Sequence, residues 1–173
     1  MLDPGMAFGT GTHPTTQIAL RLLETLYLTD RTVFDVGTGS GIIAIAAAKL
    51  GAKKVDGVDI DAVSVRQAQT NIDLNDARPT VSIWQSAMEP ADIAPPVYDI
   101  VVANIIARVL VEISERIVAS VSPHGPLILS GIIDSKEESV IDQYRALDFE
   151  LIDRQQAEDW IGHIWRRSET RVS

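Results

Sequence analysis

Residues 35–41 read Asp35-Val36-Gly37-Thr38-Gly39-Ser40-Gly41, with glycine at every second position. Before them stands Thr32-Val-Phe-Asp-Val36, a short apolar run stopped by glycine, which is the pattern of a buried parallel strand. After them, Ile42 to Leu50 is rich in Ala, Ile and Leu and closes with Gly51, which predicts a helix and its C-terminus. A strand, a glycine turn and a helix start make a place for a ligand. Without a Cβ the backbone can take positive φ and pass close beneath a bound group, and the helix start offers free N–H groups. An isolated turn of this kind is often only a tight turn, but the flanking elements point to a nucleotide-type ligand.

Working outward, the chain alternates. A helical pattern runs from Thr15 to Tyr27, with Ile18, Leu22, Leu23 and Leu26 on one side. Beyond the glycine turn, strands are predicted at Lys54–Ile60, Thr80–Trp84, Tyr98–Ala103 and Leu127–Ser130. Helices are predicted at Ala62–Asn75, Ala107–Val121 and Ser135–Leu147. Such alternation implies an α/β fold with a parallel sheet covered on both faces. Two further strands, Glu150–Arg154 and Trp160–Arg166, follow with no helix between them, so the sheet should end in an antiparallel hairpin.

Composition excludes several functions. A net charge of −9 argues against direct nucleic-acid binding, which needs clustered Lys and Arg, and suits a basic partner such as a Lys-rich protein. Acidity also serves plain solubility. Cysteine is absent, so there is no disulfide framework and no thiolate metal site, as in a reducing cytoplasm. His13, His124 and His163 lack metal-ligand spacing, and no metal is expected. No apolar run approaches the roughly 20 residues of a membrane span, and the first residues do not read as a signal peptide.

The glycine pattern is GxGxG, whereas the dinucleotide fingerprint is GxGxxG, and Ile42 stands where its last glycine would fall. A pyrophosphate needs that close packing; S-adenosylmethionine has no phosphate to hold, so the departure favours the methyl donor. Val58-Asp59-Ile60-Asp61 closes the next strand about 20 residues on, where a carboxylate accepts from ribose hydroxyls. Asp59 is the candidate, with an end-of-strand turn carboxylate as the alternative; Asp61 is placed to cap the helix from Ala62. Asn104, in Val101-Val-Ala-Asn-Ile-Ile-Ala107, falls at the carboxyl edge of the sheet. Its neutral amide can orient an incoming amine without trapping it as a cation, or else merely cap the next helix. The opening Phe8-Gly-Thr-Gly-Thr-His13-Pro-Thr-Thr16 suggests a flap over a ligand, or a capping arrangement around Pro14. His13 is a conceivable general base there, although a lone loop histidine is more often structural.

Taken together, LDPGMAFGTGTHPTT, DVGTGSGIIAIAAAKLGA, GVDID, VVANIIA, LILSGI and EDWIGHIWRR resemble the PrmA family, the methyltransferases of ribosomal protein L-11 and close relatives. The resemblance covers nearly the whole chain in order. It implies a class I methyltransferase fold, Rossmann-like, with seven strands and S-adenosyl-L-methionine as cofactor. The family's cofactor contacts would fall on Thr16, Gly37 with Gly39, Asp59, and Asn104, the last beside the methyl group and so the catalytic candidate. The implied reaction is N-methylation of protein amines, lysine side chains and the N-terminus, with ribosomal protein L-11 as acceptor. Thr38 and Ile106 replace the family's more usual Cys and Leu without changing charge. Full-length members resemble this chain only in their C-terminal part, so a single catalytic domain over 1–173 is expected, without the N-terminal domain that positions the ribosomal protein. Two other readings stay open: a cofactor-binding module without turnover, and a nicotinamide-dependent oxidoreductase, which GxGxG and the hairpin ending oppose.

Overall fold

The computed structural model describes residues 11–87 and 98–169. Its elements are α1 (Pro14–Glu24), β1 (Thr32–Val36), α2 (Ile42–Lys49), β2 (Lys54–Asp59), α3 (Ala62–Leu74), β3 (Val81–Gln85) and β4 (Ile100–Asn104). They continue with α4 (Ala107–Glu112), α5 (Ser114–Ala119), β5 (Leu127–Ile133), α6 (Glu137–Ala146), β6 (Phe149–Ala157) and β7 (Trp160–Arg167). The strands form one seven-stranded sheet in the order β3-β2-β1-β4-β5-β7-β6. The first five in that order run parallel, and β7 is antiparallel to both its neighbours. The mostly parallel sheet ending in an antiparallel hairpin is what the alternating pattern predicts, and its seven strands are the number that the family resemblance implies.

Alternation along each strand sorts side chains between two cores. In β1, Val33 joins the cluster beneath α1, α2 and α3, with Ile18, Leu22 and Ala44, while Phe34 and Val36 join the opposite one. That second core lies under α4, α5 and α6 and includes Leu110, Ile117, Tyr144 and Trp165. Covering on both faces explains why β1, apart from Asp35, and β4 read as continuous apolar runs. The chain moves outward from β1 to β2 and β3, then returns to place β4 on the other side of β1. The crevice above the carboxyl ends of β1 and β4 is therefore the topological switch point, where such sheets bind ligands.

The structure departs from the sequence expectations in three places. The helix expected over Ala107–Val121 is two short helices, because Ile113 leaves helical geometry (φ −104°, ψ 15°). Beside it the Ser114 hydroxyl donates to the Val111 carbonyl at 2.9 Å, a local bond that competes with the helical ladder. Strand β6 continues to Ala157, since the polar residues Arg154, Gln155 and Gln156 pair with His163, Gly162 and Ile161 of β7. β5 runs on to Ile133, past a register shift against β7 between Leu129 and Ile132. Phe8, Gly9 and Thr10 of the expected flap lie outside the described residues. Among the described residues no helix is long and apolar enough to cross a membrane.

Candidate functional site

The glycine turn is built from the sheet upward. Gly37, Gly39 and Gly41 all have positive φ (71°, 54° and 80°), so each alternate position needs the residue it has. The turn hangs on β2: the N–H groups of Gly37 and Thr38 both donate to the Val58 carbonyl, at 2.8 and 2.9 Å. From α3, the buried Asn71 amide donates to the Ser40 carbonyl at 2.9 Å.

Asp35 supports the turn from below, a role that sequence reading did not assign to it. It is wholly buried in β1; its Oδ2 accepts from the Thr38 hydroxyl at 2.7 Å and from the Ala44 N–H at 3.2 Å, joining the turn to the first residues of α2. Its Oδ1 has no partner among the described residues. Burial pushes the carboxyl from 3.8 up to about 6; the Thr38 and Ala44 bonds oppose the rise and the nearby Asp59 charge adds to it. The only signal in the sequence was an acidic residue inside an apolar strand.

Asp59, at the end of β2, accepts from the Gly39 N–H through Oδ2 and from the Asp61 N–H through Oδ1, each at 2.9 Å. Both oxygens keep further acceptor capacity, which is what a pair of adjacent hydroxyls requires. Asp61 caps α3 as expected, its carboxylate accepting from the Val63 and Ser64 N–H groups at 2.9 and 3.3 Å. Those bonds, led by the Val63 N–H, hold its pKa below the usual carboxylate range. The two acidic residues of Val58-Asp59-Ile60-Asp61 thus divide the work.

Asn104 closes β4. Its Nδ2 approaches the Thr16 hydroxyl at 3.5 Å, and its buried Oδ1 has no partner among the described residues. The alternative that it caps the following helix is set aside, since the N-cap of α4 is Ile106 and carries no side-chain bond. His13 does cap: its Nδ1 accepts from the Thr15 N–H at 3.3 Å at the start of α1, and its ring meets Trp160 edge-on with centroids 5.1 Å apart. That arrangement favours a structural role over a general base.

Thr16, Gly37, Gly39, Asp59 and Asn104 all line one pocket of about 940 Å³ at the switch point. That volume is at the upper end for small-ligand sites and leaves room for a second reactant. Its outer wall adds Ile60, Ser86 and Ala87 near β2 and β3, and Arg108, Glu112 and Arg116 from α4 and α5. None of these stood out in the sequence, because no local pattern marks a residue that merely follows a strand. Among the described residues no group of His, Cys, Asp or Glu is arranged to hold a metal ion.

Residues 1–168 match the family model described as ribosomal protein L11 methyltransferase (PrmA). The chain is 45% identical over 171 residues to the ribosomal protein L11 methyltransferase of Geotalea uraniireducens (strain Rf4), covering 92% of this chain and 53% of that protein. It is 38% identical to the protein of the same name from Chloroflexus aurantiacus, covering 98% of this chain and 58% of that one. The chain therefore spans about half the length of the curated relatives it matches. The crystal structure of a ribosomal protein L11 methylase from Lactobacillus delbrueckii subsp. bulgaricus superposes with a TM-score of 0.89 at 36% identity, covering 97% of this chain and 84% of that one. The tRNA m1G37 methyltransferase of M. jannaschii shares the fold at a TM-score of 0.75 and 17% identity. The chain belongs to the ribosomal protein L11 methyltransferase (PrmA) family.

Proposed function

We propose that this chain is the catalytic unit of a protein N-methyltransferase that uses S-adenosyl-L-methionine and acts on amino groups of ribosomal protein L11, at lysine side chains and the N-terminus. One observation carries the reading: a glycine turn, a strand-end carboxylate and a half-buried amide whose Oδ1 is enclosed without a partner among the described residues converge in one pocket. A buried acceptor without a partner is costly, and rotation of the amide toward the pocket would let an incoming N–H satisfy this one.

In this reading Asp59 accepts from the ribose hydroxyls, and Gly37 and Gly39 let the backbone approach the amino-acid arm of the donor. Thr16 closes the opposite side. Bound S-adenosylmethionine supplies a methyl group activated by its positive sulfur. The protein's share is then chiefly positioning, which can itself be worth several orders of magnitude in rate. A lysine ammonium, with an ordinary pKa of about 10.4, must lose its proton to solvent before it attacks. Desolvation at the pocket favours the neutral amine. The Oδ1 of Asn104 accepts an N–H of that amine and turns its lone pair toward the methyl carbon. No dedicated base is required. A ribosomal acceptor places the reaction in the cytoplasm.

Calorimetry against S-adenosylhomocysteine and NAD tests the ligand: binding of the first and not the second is expected, and the reverse would overturn the reading. Incubation with labelled donor and ribosomal protein L11 tests the acceptor. Tight cofactor binding without transfer would favour the second reading, a cofactor-binding unit that needs further chain to present its acceptor, which the coverage of only half the curated relatives makes worth testing.

A further inference from the structure

We infer that Ser130 and Gly131, on β5, are positioning residues that set Thr16 against Asn104; the inference rests on the cofactor reading above. In the β4–β5 pairing Ser130 lies directly opposite Asn104. The register of β5 against β7 then shifts between Leu129 and Ile132, so these two residues form a bulge beside the site, where bulges commonly re-aim a neighbour. Gly131 has φ 82°, and a Cβ there would collide with the carbonyl oxygen of Ile105 and come within 2.8 Å of its carbonyl carbon. The backbone that follows Asn104 occupies the space that any side chain at 131 would fill. Glycine at 131 therefore lets the end of β4 lie against β5.

Ser130 acts on the other partner. It is fully buried in an otherwise apolar strand, and its hydroxyl donates to the Thr15 carbonyl at 2.9 Å, across 115 residues of sequence. For packing alone, alanine would serve at that position. What the hydroxyl adds is a directional tie from β5 to the first turn of α1. The next residue, Thr16, is the one whose hydroxyl meets the Asn104 amide. One bulge thus holds both sides of the contact: Ile105 through the missing side chain at Gly131, and Thr15 through Ser130. Ser130 does not line the pocket and Gly131 lines it with backbone alone, so neither brings a side chain to the chemistry.

The test is calorimetry of the full chain with S-adenosylhomocysteine at a temperature where every variant is folded. Ser130→Ala is expected to lose affinity about 3–10-fold, the loss of one oriented hydrogen bond. Ser130→Cys, which keeps a weak donor of similar shape, should recover part of it. Thr16→Val should also weaken binding, and the double variant Ser130→Ala/Thr16→Val should lose no more than the weaker-binding single variant, because both act through one contact. Losses that simply multiply would mean that Ser130 acts elsewhere and would overturn the inference. So would an affinity within twofold of wild type alongside a lowered denaturation midpoint, since that is a structural role alone. A wild-type chain that binds no S-adenosylhomocysteine would instead overturn the cofactor reading, and the inference with it.

Discussion

Replacing Asp35 by Asn should change how stability depends on pH rather than stability alone. The carboxyl is wholly buried, and its pKa rises from 3.8 to about 6 on folding. Between those values the folded chain binds a proton that the unfolded chain releases, so stability falls as pH rises through that window and the loss is complete above it. At roughly 1.4 kcal/mol per pH unit, the ionised form destabilises the fold by about 2–3 kcal/mol at pH 7.5 relative to pH 4. Asn keeps the acceptor that serves Thr38 and Ala44 but puts an NH2 where Oδ1 has no partner, at a cost of about 1–3 kcal/mol at every pH. At pH 4 the variant should therefore be the less stable protein by that amount. By pH 7.5 the two should converge or cross, as the charge penalty of the wild type develops. Urea denaturation followed by circular dichroism, from pH 4 to 8, measures the difference directly. The many other carboxylates titrate in both proteins and cancel in the comparison. A difference that stays flat within about 0.5 kcal/mol across the range would refute the argument, by showing that Asp35 folds with an ordinary pKa.

Asp59→Ala should weaken S-adenosylhomocysteine binding by about 1–3 kcal/mol in calorimetry; unchanged affinity with an intact fold would move the ribose site elsewhere. Asp61→Ala removes the cap of α3 and should lower unfolding free energy by about 1 kcal/mol in urea. Its ligand affinity should stay near wild type, and a large loss would assign Asp61 a binding role. Gly37→Ala places a Cβ at φ 71° and against Ile105, so it should cost at least about 1–2 kcal/mol of stability and abolish measurable S-adenosylhomocysteine binding. Wild-type binding by that variant would show that the turn has room to spare. Burial holds His163 neutral and its pKa below the usual histidine value, although Glu137 accepts from its Nε2 at 2.9 Å. The stability this residue contributes is present above about pH 6.5 and lost as pH falls below it, so His163→Gln should flatten that part of the pH profile. An unchanged slope would assign the acid sensitivity to other groups.

What was legible in the sequence, and what was not, follows from the range of the interactions concerned. β1 and β4 were readable because burial on both faces leaves a largely apolar run, β2 because its valines are bounded by the strand-end carboxylates, and the cap at Asp61 because its partners are two and three residues away. The break at Ile113 was hidden because Leu110 and Ile117 continue the apolar spacing across it, and only the Ser114 bond to Val111 marks the change. The extension of β6 was hidden because an edge strand facing solvent needs no apolar alternation. At the site, Gly37, Gly39, Asp59 and Asn104 could be proposed because each sits at a strand end or glycine turn that local patterning reveals, whereas Thr16, in the first turn of α1, was marked only by the family resemblance. Asp35 could not be separated from its strand, since a carboxylate that organises a turn and one that faces water look alike until burial is known.

The Ser130–Thr15 bond marks the boundary of such reading. Its two ends lie in elements that local patterning finds separately, one in the first helix and the other in the fifth strand, and nothing in either segment refers to the other. Only the sheet order, which puts β5 beside β4 and packs α1 against both, brings them together. The motif residues specify what the pocket can hold, and long-range ties of this kind specify how accurately it is held. Transfer to an amine depends on the second property as much as the first, because an oriented attack is sensitive to displacements of about 1 Å. Variation at 130 and 131 should therefore alter the geometry of the pocket without altering any of the residues to which cofactor contacts were assigned.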